Sequence, residues 1–460
     1  MNDPHRLTLA QWDARRQELL AAGMEEPGYG GPLRRHLEDG GRRLASLLFD
    51  DSPAALRLWN FLLTEEDRLR DARERGDCIV GAMKDLGTVP VMAYALPRTV
   101  AFYPDGAWWI PCVMELGAGL LGIADELGID ESFCPVRAML GAFVTEAHFP
   151  RPDLLVCSTG AVCDDFSAIA QQLNGLGHPV LWWEIPCRQR EGEGDLPLPG
   201  GARAPRRLVE FAAGELGRVR EALAALAGRE LTDGMLAAGI HEANRIRRTL
   251  RRVRDLAFGA PRSPMPALEL LVAEMLALHF CSDREECAVV LDHLLAEIAL
   301  RVESGRGCLP PDAPRIHWVN PVADIRVMNL LEECGGRICG TEYLFAHALD
   351  EIPRDLPPLE ALARTALADP MVGPSADRAR RVCAEAVRYG AEAVVVSRIP
   401  GASHCAFEGE VIREEVTRRL GLPVLEIEVP PLSDAIRPGL RTRLESLIEV
   451  VLSRRGGRGS

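Results

Sequence analysis

Thirteen cysteines are the residues of this sequence with the clearest capacity for chemistry. Five of them follow or end short apolar runs that have the pattern of β-strands: Cys157, Cys163, Cys187, Cys339 and Cys405. In an open parallel sheet, ligands gather beyond the carboxyl ends of the strands, so these positions can converge on one site. So many thiols in a reducing compartment indicate metal binding, catalysis or burial rather than structural disulfides.

The spacing of the cysteines matches no local metal motif. CSTGAVC places five residues between its two thiols, and the sequence contains neither CxxC nor the ferredoxin run, which argues against a zinc ribbon or a ferredoxin cluster. Thiolates drawn from distant loops suit a cluster held between domains. The alternative is that many are buried, inert thiols, because free cysteine is among the most buried residue types. Composition alone leaves both interpretations open.

The stretches around these cysteines predict an α/β protein. PDLLVCSTG and PVLWWEIPC have the pattern of buried parallel strands, and DDFSAIAQQLNGLG between them has that of a crossover helix. A second set of strand-like runs begins near Arg315, and its members are RIHWVNP, GGRICG, AEAVVVSRIP and LPVLEIEVP. Helix-like segments such as SADRARRVCAEAVRYG separate these runs, and GLRTRLESLIEVVLSRR forms a predicted closing helix.

The predicted architecture is two Rossmann-like or flavodoxin-like domains with parallel sheets, joined by a helical segment and preceded by an N-terminal helical region. LRRHLEDGGRRLASLLF and ALRLWNFLLTEEDRLRDARER carry the helical spacing of that first region. The Gly- and Pro-rich stretch REGEGDLPLPGGARAPRR marks the end of the first α/β domain. The predicted boundaries are 1–80 for the N-terminal region, 81–205 for the first α/β domain, 206–305 for the helical segment and 306–460 for the second α/β domain with its C-terminal helix.

Composition and charge limit the classes of partner. Of 460 residues, 47% are hydrophobic and 26% are charged, which is typical of a globular protein of two or three domains. The formal net charge of −14 argues against general binding to nucleic acid or anionic lipid, because both attract basic surfaces. MNDPHRLTLAQWDARRQELL lacks the apolar core of a signal peptide, and no uninterrupted run is long enough for a membrane span, so we expect a cytoplasmic protein.

Several stretches occur in the order and spacing of a known family. A cysteine before a helix, a PDL strand and a CD dipeptide at the next helix are present as Cys134, 152–154 and Cys163. NPVADIRVMNLLEECGGRICGTEY brings in Cys339, and GAEAVVVSRIPGASHCAFEGEVIREEV places Cys405 after the penultimate strand. Over roughly residues 85 to 455 the sequence resembles the superfamily of 2-hydroxyacyl-CoA dehydratases and benzoyl-CoA reductases, in particular the D-component of 2-hydroxyglutaryl-CoA dehydratase.

The sequence departs from the family pattern at one expected ligand. Family members carry an early cluster cysteine just ahead of a PEEL-like motif, and the matching stretch here is DGAWWIPCVMELGAGL. The expected position falls near Ala107, whereas Cys112 lies within the motif itself. Either Cys112 replaces the missing thiolate, or the site has different ligation.

The resemblance implies an oxygen-sensitive iron–sulfur cluster, either [4Fe-4S] or the double-cubane [8Fe-9S] of one branch of the superfamily. The expected ligands are Cys112, Cys134, Cys163, Cys339 and Cys405. A double cubane needs more thiols, for which the reserve is Cys157, Cys187, Cys308 and Cys334. The remaining cysteines lie on predicted helices or at their ends and are interpreted as structural: Cys78, Cys281, Cys287 and Cys383.

The resemblance also implies a partner and a class of reaction. Family enzymes accept one electron at a time from a separate ATP-hydrolysing iron–sulfur activator, and they work as homodimers or as heterodimers with a homologous subunit. This sequence has no GxxxxGK[ST] phosphate loop, so ATP hydrolysis is expected of the partner. Three functions stay open: a reductase of a small or CoA-linked substrate, an (R)-2-hydroxyacyl-CoA dehydratase subunit, and a cluster-free subunit that supports a catalytic homologue.

Other polar residues near the cysteines have two interpretations each. His404 can hydrogen-bond a cluster sulfur or donate a proton as a catalytic residue, or it can be a solvated loop histidine. Three further side chains are predicted to cap the helix after Cys163, with a direct role in catalysis as the alternative: Asp164, Asp165 and Ser167. Glu342 and His347 are candidates to face the cluster. NRIRRTLRRVRD has an apolar stripe and six arginines on its other faces, which form a solvated surface or contact CoA phosphates or an activator.

Overall fold

The computed structural model describes residues 3–21, 47–106, 117–146, 148–189, 192–279, 282–430 and 435–457. Within these ranges the chain forms two four-stranded parallel sheets separated by a helical stretch, which confirms the predicted α/β class. Most of LRRHLEDGGRRLASLLF, part of the predicted N-terminal helical region, lies outside the described residues.

The first sheet contains β1 (Cys78–Met83), β2 (Thr99–Phe102), β3 (Leu154–Gly160) and β4 (Val180–Ile185), in the spatial order β2-β1-β3-β4. All neighbouring strands are parallel. The sequence predicts β3 and β4 but misses β1 and β2, because Gly81 divides the apolar run of CIVGAM and TVAF has only four residues. β1 begins ahead of the predicted boundary at residue 80, and Cys78, expected on a helix, is its first residue.

The second sheet contains β5 (Arg315–Val319), β6 (Arg337–Glu342), β7 (Ala393–Arg398) and β8 (Val424–Glu428), in the order β6-β5-β7-β8. These parallel strands confirm the four predicted ones. The two sheets share one strand order, so in each the winding reverses between the first and third strands. Ligands of open α/β sheets bind at such reversal points, beyond the carboxyl ends of the strands.

Helices connect the strands and cover both sheets, and the predicted crossover and closing helices are confirmed as α8 and α17. The helices are α1 (Leu9–Ala14), α2 (Arg16–Ala21), α3 (Pro53–Leu63), α4 (Glu65–Glu74), α5 (Val89–Tyr94), α6 (Gly117–Glu126), α7 (Ala138–Thr145), α8 (Asp164–Gly175), α9 (Arg206–Ala227), α10 (Asp233–Gly259), α11 (Ala267–His279), α12 (Arg284–Glu303), α13 (Arg326–Glu333), α14 (Pro358–Leu367), α15 (Ser375–Arg388), α16 (Ser403–Leu420) and α17 (Arg437–Gly457). Short 3₁₀ helices span Pro135–Arg137, Pro199–Gly201 and Phe345–Leu349.

The helical stretch between the sheets comprises α9 to α12. α10 begins where the Thr232 hydroxyl accepts a hydrogen bond from the Met235 backbone N–H, an ordinary N-cap. Its apolar stripe is buried as predicted. The expectation that all six of its arginines occupy exposed faces is wrong for two of them, Arg247 and Arg254, which are buried. Arg254 is held by Glu274 at 2.6 Å and by Glu385 at 2.7 Å, so it packs as part of an ionic network.

One large hydrophobic core runs from α1 and α3 through the helical stretch to both sheets, and it includes Trp59, Val80, Leu250 and Trp318. A shared core of this kind fixes the two sheets relative to each other. Among the helices in the described part of the chain, none is both long and apolar enough to cross a membrane.

Candidate functional site

The reversal points of the two sheets open into one cavity. Its volume is about 130 Å³. Its walls come from the segments that follow the strands: Lys84 and Leu86 after β1, Val162 and Cys163 after β3, Pro321 and Val322 after β5, Leu344 after β6, and Ile399 and Ala402 after β7. Cys134 adds to the wall from the turn ahead of α7. Most of the lining is apolar, which is typical of ligand sites that exclude water.

Cys134 lies where the two halves of the molecule touch. It is buried at the start of the 3₁₀ helix Pro135–Arg137. Gly401 (φ +81°) packs against it from the other side, since a Cβ at residue 401 would lie 2.4 Å from the Phe133 carbonyl and 2.8 Å from the Cys134 nitrogen. Only glycine combines that backbone angle with that approach. The loop that leads into α16, with Cys405 in its first turn, is therefore held against Cys134.

Cys163 is the residue before α8 and lines the same cavity. Burial, followed by the charge of Asp165, raises the pKa of its thiol to about 12. The Asp165 carboxylate also accepts a hydrogen bond from the Cys134 N–H at 3.4 Å, so one side chain links the two cysteines. The prediction that Asp164, Asp165 and Ser167 cap α8 is wrong. Cys163 occupies the N-cap position, and Ser167 accepts a hydrogen bond from Lys84 instead.

Strained backbone is concentrated around this cavity. Lys84 (φ +69°), Leu86 (φ +45°) and Leu344 (φ +69°) line it in the left-handed region, although none is glycine. Seven non-glycine residues of the described chain have positive φ, and a fourth of them, Asn320, directly precedes Pro321 of the cavity wall. Each such residue costs about 1–3 kcal/mol, and strain of this kind tends to persist at functional sites.

A buried ionic network supports the second-sheet side of the cavity. Arg378, with a fully buried side chain, donates to Glu342 at 2.7 Å, to Glu408 at 2.5 Å and to the Asn320 side-chain carbonyl. Glu342 in turn accepts from the Leu344 N–H at 3.3 Å. Because Glu408 belongs to α16, this network fixes the start of that helix relative to the ends of β5 and β6.

A second hydrogen-bond network supports the first-sheet side of the cavity. The Asp85 carboxylate accepts hydrogen bonds from the N–H groups of Gly87 at 2.8 Å and Val89 at 2.5 Å and from the Tyr103 hydroxyl at 2.7 Å. Burial raises the pKa of Asp85, while these hydrogen bonds act in the opposite direction. Arg247 of α10 donates to the Gly87 carbonyl at 3.1 Å. The loop after β1 is therefore held on both of its sides.

Comparison with known proteins assigns this architecture to a family. The model of the 2-hydroxyglutaryl-CoA dehydratase D-component matches residues 102–451, about three quarters of the chain. The chain belongs to this family. Its members are activator-dependent dehydratases or reductases, typically carry a [4Fe-4S] cluster and work with an ATP-dependent activator. No curated protein matches the chain.

The cavity fits such a cluster in its donor chemistry and its surroundings. Cys134 and Cys163 offer soft thiol ligands to one space whose walls are otherwise mostly apolar. Their thiols must lose protons to bind iron, and iron supplies the free energy for that ionisation. Within the described residues no three His, Cys, Asp or Glu side chains form a metal site, and the side chains of Cys112 and Cys405 lie outside that description.

Cys112, His404 and Cys405 stay predicted site residues, because their side chains lie outside the described part of the structure. Cys112 lies outside the described residues, as does Ala107, the expected position of the early family cysteine. His404 and Cys405 lie in the first turn of α16, whose backbone is placed beside the cavity residues Ile399 and Ala402. The family pattern implies that Cys405 joins Cys134 and Cys163 as a ligand, and this stays a prediction.

Cys339 is the expected ligand that the structure does not bring to this cavity. It does not end its strand, as the sequence suggested, but lies in the middle of β6, fully buried. Burial raises the pKa of its thiol to about 12, and its charged neighbours are Arg315, Arg337 and Glu392, all at the amino ends of the strands. The cavity lies at the opposite, carboxyl ends.

The reserve cysteines are also spread over the molecule. Cys157 lies within β3 and is buried, and Cys187 is exposed beyond β4. Cys308 donates to the Ser263 carbonyl at 3.2 Å, and Cys334 ends α13. None of the four lines the cavity among the residues that the structure describes. The described side chains therefore supply two thiols to this space, Cys134 and Cys163.

Glu342 and His347 do not line the cavity, but both contact Leu344, which does. The His347 Nδ1 lies 3.3 Å from the Leu344 carbonyl, and Asp369 accepts from the Met371 N–H at 2.8 Å. His347 Nε2 and Asp369 Oδ2 face each other at 3.8 Å, and neither has a hydrogen-bond partner among the described residues. Burial lowers the pKa of His347 to about 3 and raises that of Asp369 to about 8, so both are neutral near pH 7.

Lys84 and Gly401 are the site residues that sequence reasoning missed. Gly401 has no signal of its own among 42 glycines. Lys84 had one, because it is the only lysine in the sequence, but an unpredicted strand precedes it and nothing suggested that it ends at a site.

Proposed function

We propose that this protein is an iron–sulfur enzyme that receives low-potential electrons from a separate ATP-hydrolysing activator and reduces a small or CoA-linked substrate. It acts in the cytoplasm as a homodimer or as a heterodimer with a homologous subunit. The observation that carries the proposal is the convergence of both reversal points on one cavity, with Cys134 and Cys163 in its wall and the backbone of Gly401 against Cys134.

Cys134, Cys163 and Cys405 are the proposed ligands, and Cys112 is the candidate for a fourth. Cys339 is left out of this set because its surroundings are at the amino ends of the second sheet. When bound, the cluster accepts electrons one at a time and passes them on at a potential set by its charge, by hydrogen bonds to its sulfurs and by the exclusion of water.

The surrounding residues have three tasks in this proposal. The apolar walls, among them Val322, Leu344 and Ile399, keep water from the cluster. The Arg378 network anchors α16 through Glu408 in its second turn, and the helix begins two residues before Cys405. His404, the residue before Cys405 in the first turn of α16, is the proposed proton donor.

The main alternative is an (R)-2-hydroxyacyl-CoA dehydratase subunit, which uses the same electron source for elimination of water. The displacement of the early cysteine from residue 107 to residue 112 argues against it. A cluster-free supporting subunit is a third function, and the shared placement of Cys134 and Cys163 argues against that one.

Iron and acid-labile sulfide, measured on protein purified without oxygen, separate these functions. About four irons per chain indicate a single cubane, and about eight indicate a double cubane, which consists of two four-iron units. A protein with neither iron nor sulfide, before and after reconstitution with both, overturns the proposal and leaves the supporting subunit.

Electron delivery is tested on the loaded protein. An activator of this family with ATP should produce the electron paramagnetic resonance signal of a reduced cluster, and the activator without ATP should not. A signal that appears equally without ATP contradicts activator dependence. Substrate consumption with thioesters that do or do not carry a 2-hydroxyl group then distinguishes a dehydratase from a reductase.

A further inference from the structure

One residue type is used once in this chain. Of the 53 basic residues in the sequence, 52 are arginine and one is lysine, Lys84. At exposed positions arginine and lysine exchange at little cost, but their head groups differ. The lysine ammonium is a compact point charge with three donors, whereas the guanidinium is a broad planar fork. A single lysine among 52 arginines indicates a position where the compact head group is required.

Lys84 occupies the reversal point of the first sheet. It follows the last residue of β1, it is 2% exposed, and it lines the cavity with a backbone φ of +69°. A buried lysine is among the rarest arrangements in proteins unless its charge has partners. Here both the burial and the strained backbone place the ammonium beside the proposed cluster ligands.

The groups around Lys84 are a hydroxyl, thiols and carboxyls, which are the partners expected of a cation. Its Nζ donates to the Ser167 hydroxyl at 2.8 Å, and Ser167 belongs to α8, which starts after Cys163. Burial lowers the pKa of Lys84, and four acidic or thiol groups act in the opposite direction, namely Cys157, Cys163, Asp164 and Asp165. Ser167 is the one acceptor that the described residues give it, so the ammonium keeps further N–H donors for a group in the cavity.

The residue at the equivalent position of the second sheet, Asn320, already has protein partners for its side-chain polar groups. Asn320 follows β5 as Lys84 follows β1, and it has the same left-handed backbone, with φ +74°. Its side-chain carbonyl accepts from Arg378, and its Nδ2 donates to the Ser397 carbonyl at 2.7 Å. Asn320 is thus bonded at both ends of its amide within the protein.

We propose that Lys84 is a positioning residue for the electron-transfer site, whose ammonium donates to a sulfur of the cluster or to the Cys163 thiolate and thereby raises the reduction potential. The inference rests on the proposed function. Its physical reason is that one-electron reduction makes the cluster more negative by one charge. A cation held in a cavity of low dielectric stabilises the reduced form more than the oxidised form.

The contact is tested on the wild-type protein, so no variant has to fold. Because Lys84 is the only lysine, growth on lysine labelled with ¹⁵N at Nζ places a single side-chain label in 460 residues. Pulsed electron paramagnetic resonance on the reduced cluster should detect a hyperfine coupling to that nitrogen. A reduced cluster without such a coupling overturns the inference and leaves the proposed function intact.

The effect on potential is tested with Lys84→Gln, Lys84→Arg and Arg98→Gln. We expect Lys84→Gln to lower the equilibrium constant for one-electron reduction at least tenfold, which is 59 mV toward negative potential. Lys84→Arg should recover only part of that shift, because it keeps the charge but replaces the compact head group with the broader guanidinium. Arg98→Gln should leave the potential unchanged, because Arg98 also has a left-handed backbone but an exposed side chain paired with Asp77, ahead of β1.

The outcomes separate the two levels of the proposal. Wild-type protein without iron and sulfide removes the proposed function, and the role of Lys84 falls with it. A loaded Lys84→Gln protein whose potential equals that of the wild type contradicts the electrostatic role alone.

Discussion

The two sheets have the same strand order, and their reversal points differ in what occupies them. In the second sheet, Asn320 and its partner Arg378 are bonded on all sides to protein groups, including Glu342 and Glu408. In the first sheet, Lys84 faces a cavity in which two thiols are buried. The same strand order therefore has two uses. The reversal point of the second sheet is a rigid support, and that of the first sheet offers the Lys84 ammonium to a ligand.

The Arg378 network of the second sheet and the cavity wall at Cys134 meet at the start of α16. Glu408 anchors this helix to Arg378, and the preceding Gly401 presses its loop against Cys134. The two regions therefore have different roles. Changes in the second region should act mainly on the stability of the fold, and changes in the first should act on the cluster.

The largest effect on stability is expected from Arg378→Met. Removing the guanidinium leaves Glu342 buried without its cation, which typically costs about 3–5 kcal/mol. Urea unfolding of the two proteins measures the difference. Arg380→Met is the matched control on the same helix, because Arg380 is half exposed and its pair with Asp377 is worth less than about 1 kcal/mol. Equal losses from both substitutions would show that the buried network is not the support described here.

Gly401→Ala should have the next largest effect and should act on both regions. The new Cβ meets the Phe133 carbonyl at 2.4 Å in a left-handed backbone, so we expect a loss of about 2–4 kcal/mol together with much of the bound iron. Gly421→Ala is the control, since it has a φ of +65° but open space around the Cβ position. That variant should lose only about 1 kcal/mol and no iron. A Gly401→Ala protein with full iron content would separate the α16 loop from the cluster site.

Asp369→Asn should change how stability depends on pH. The pKa of Asp369 is raised to about 8 in the folded protein, chiefly by burial, so the folded state keeps a proton that the unfolded state has lost. Stability from this group is full below about pH 4 and declines as pH rises toward about 8. We expect the wild type to lose about 1–2 kcal/mol more than the variant between about pH 6 and pH 8. Melting temperatures across that interval measure it, and parallel curves would contradict a protonated Asp369.

Ser167→Ala should have the smallest effect. It removes the one hydroxyl that accepts from Lys84, and a buried hydrogen bond of this type contributes about 1–1.5 kcal/mol. If the cluster is the other partner of the ammonium, the loss should be smaller in the iron-loaded protein than in the iron-free protein. Thermal unfolding of both forms measures that difference, and an identical loss in both would argue against a second partner for Lys84.

The sequence predicts the fold well where strands appear as clear apolar runs. Six of the eight strands of the two sheets follow from apolar runs bounded by Gly, Pro or Cys, whereas Gly81 divides the run of β1 and β2 has only four residues. Missing β1 had a consequence for the site. Lys84 is the residue that β1 delivers to the reversal point, so its meaning could not be recognised before the strand was known.

The sequence predicts the site in part. The family pattern places Cys134 and Cys163 among five expected ligands, and both line one cavity, each just ahead of a helix. The position of Cys339 along its strand could not be predicted from the sequence. Its run GGRICG suggested a strand that ends at the cysteine, but the strand continues to Glu342 and keeps the thiol near its amino end. The link through Asp165 and the contact at Gly401 depend on tertiary packing, which local pattern does not encode.

Iron content of three cysteine variants, purified without oxygen beside the wild type, tests the central claim most directly. Cys134→Ser and Cys405→Ser should each lose most of the iron and sulfide, because each removes a proposed ligand from one side of the shared cavity. Cys287→Ser should keep the wild-type content, since that thiol is buried in α12 away from the cavity wall. Full iron in either Cys134→Ser or Cys405→Ser would contradict a cluster held between the two reversal points.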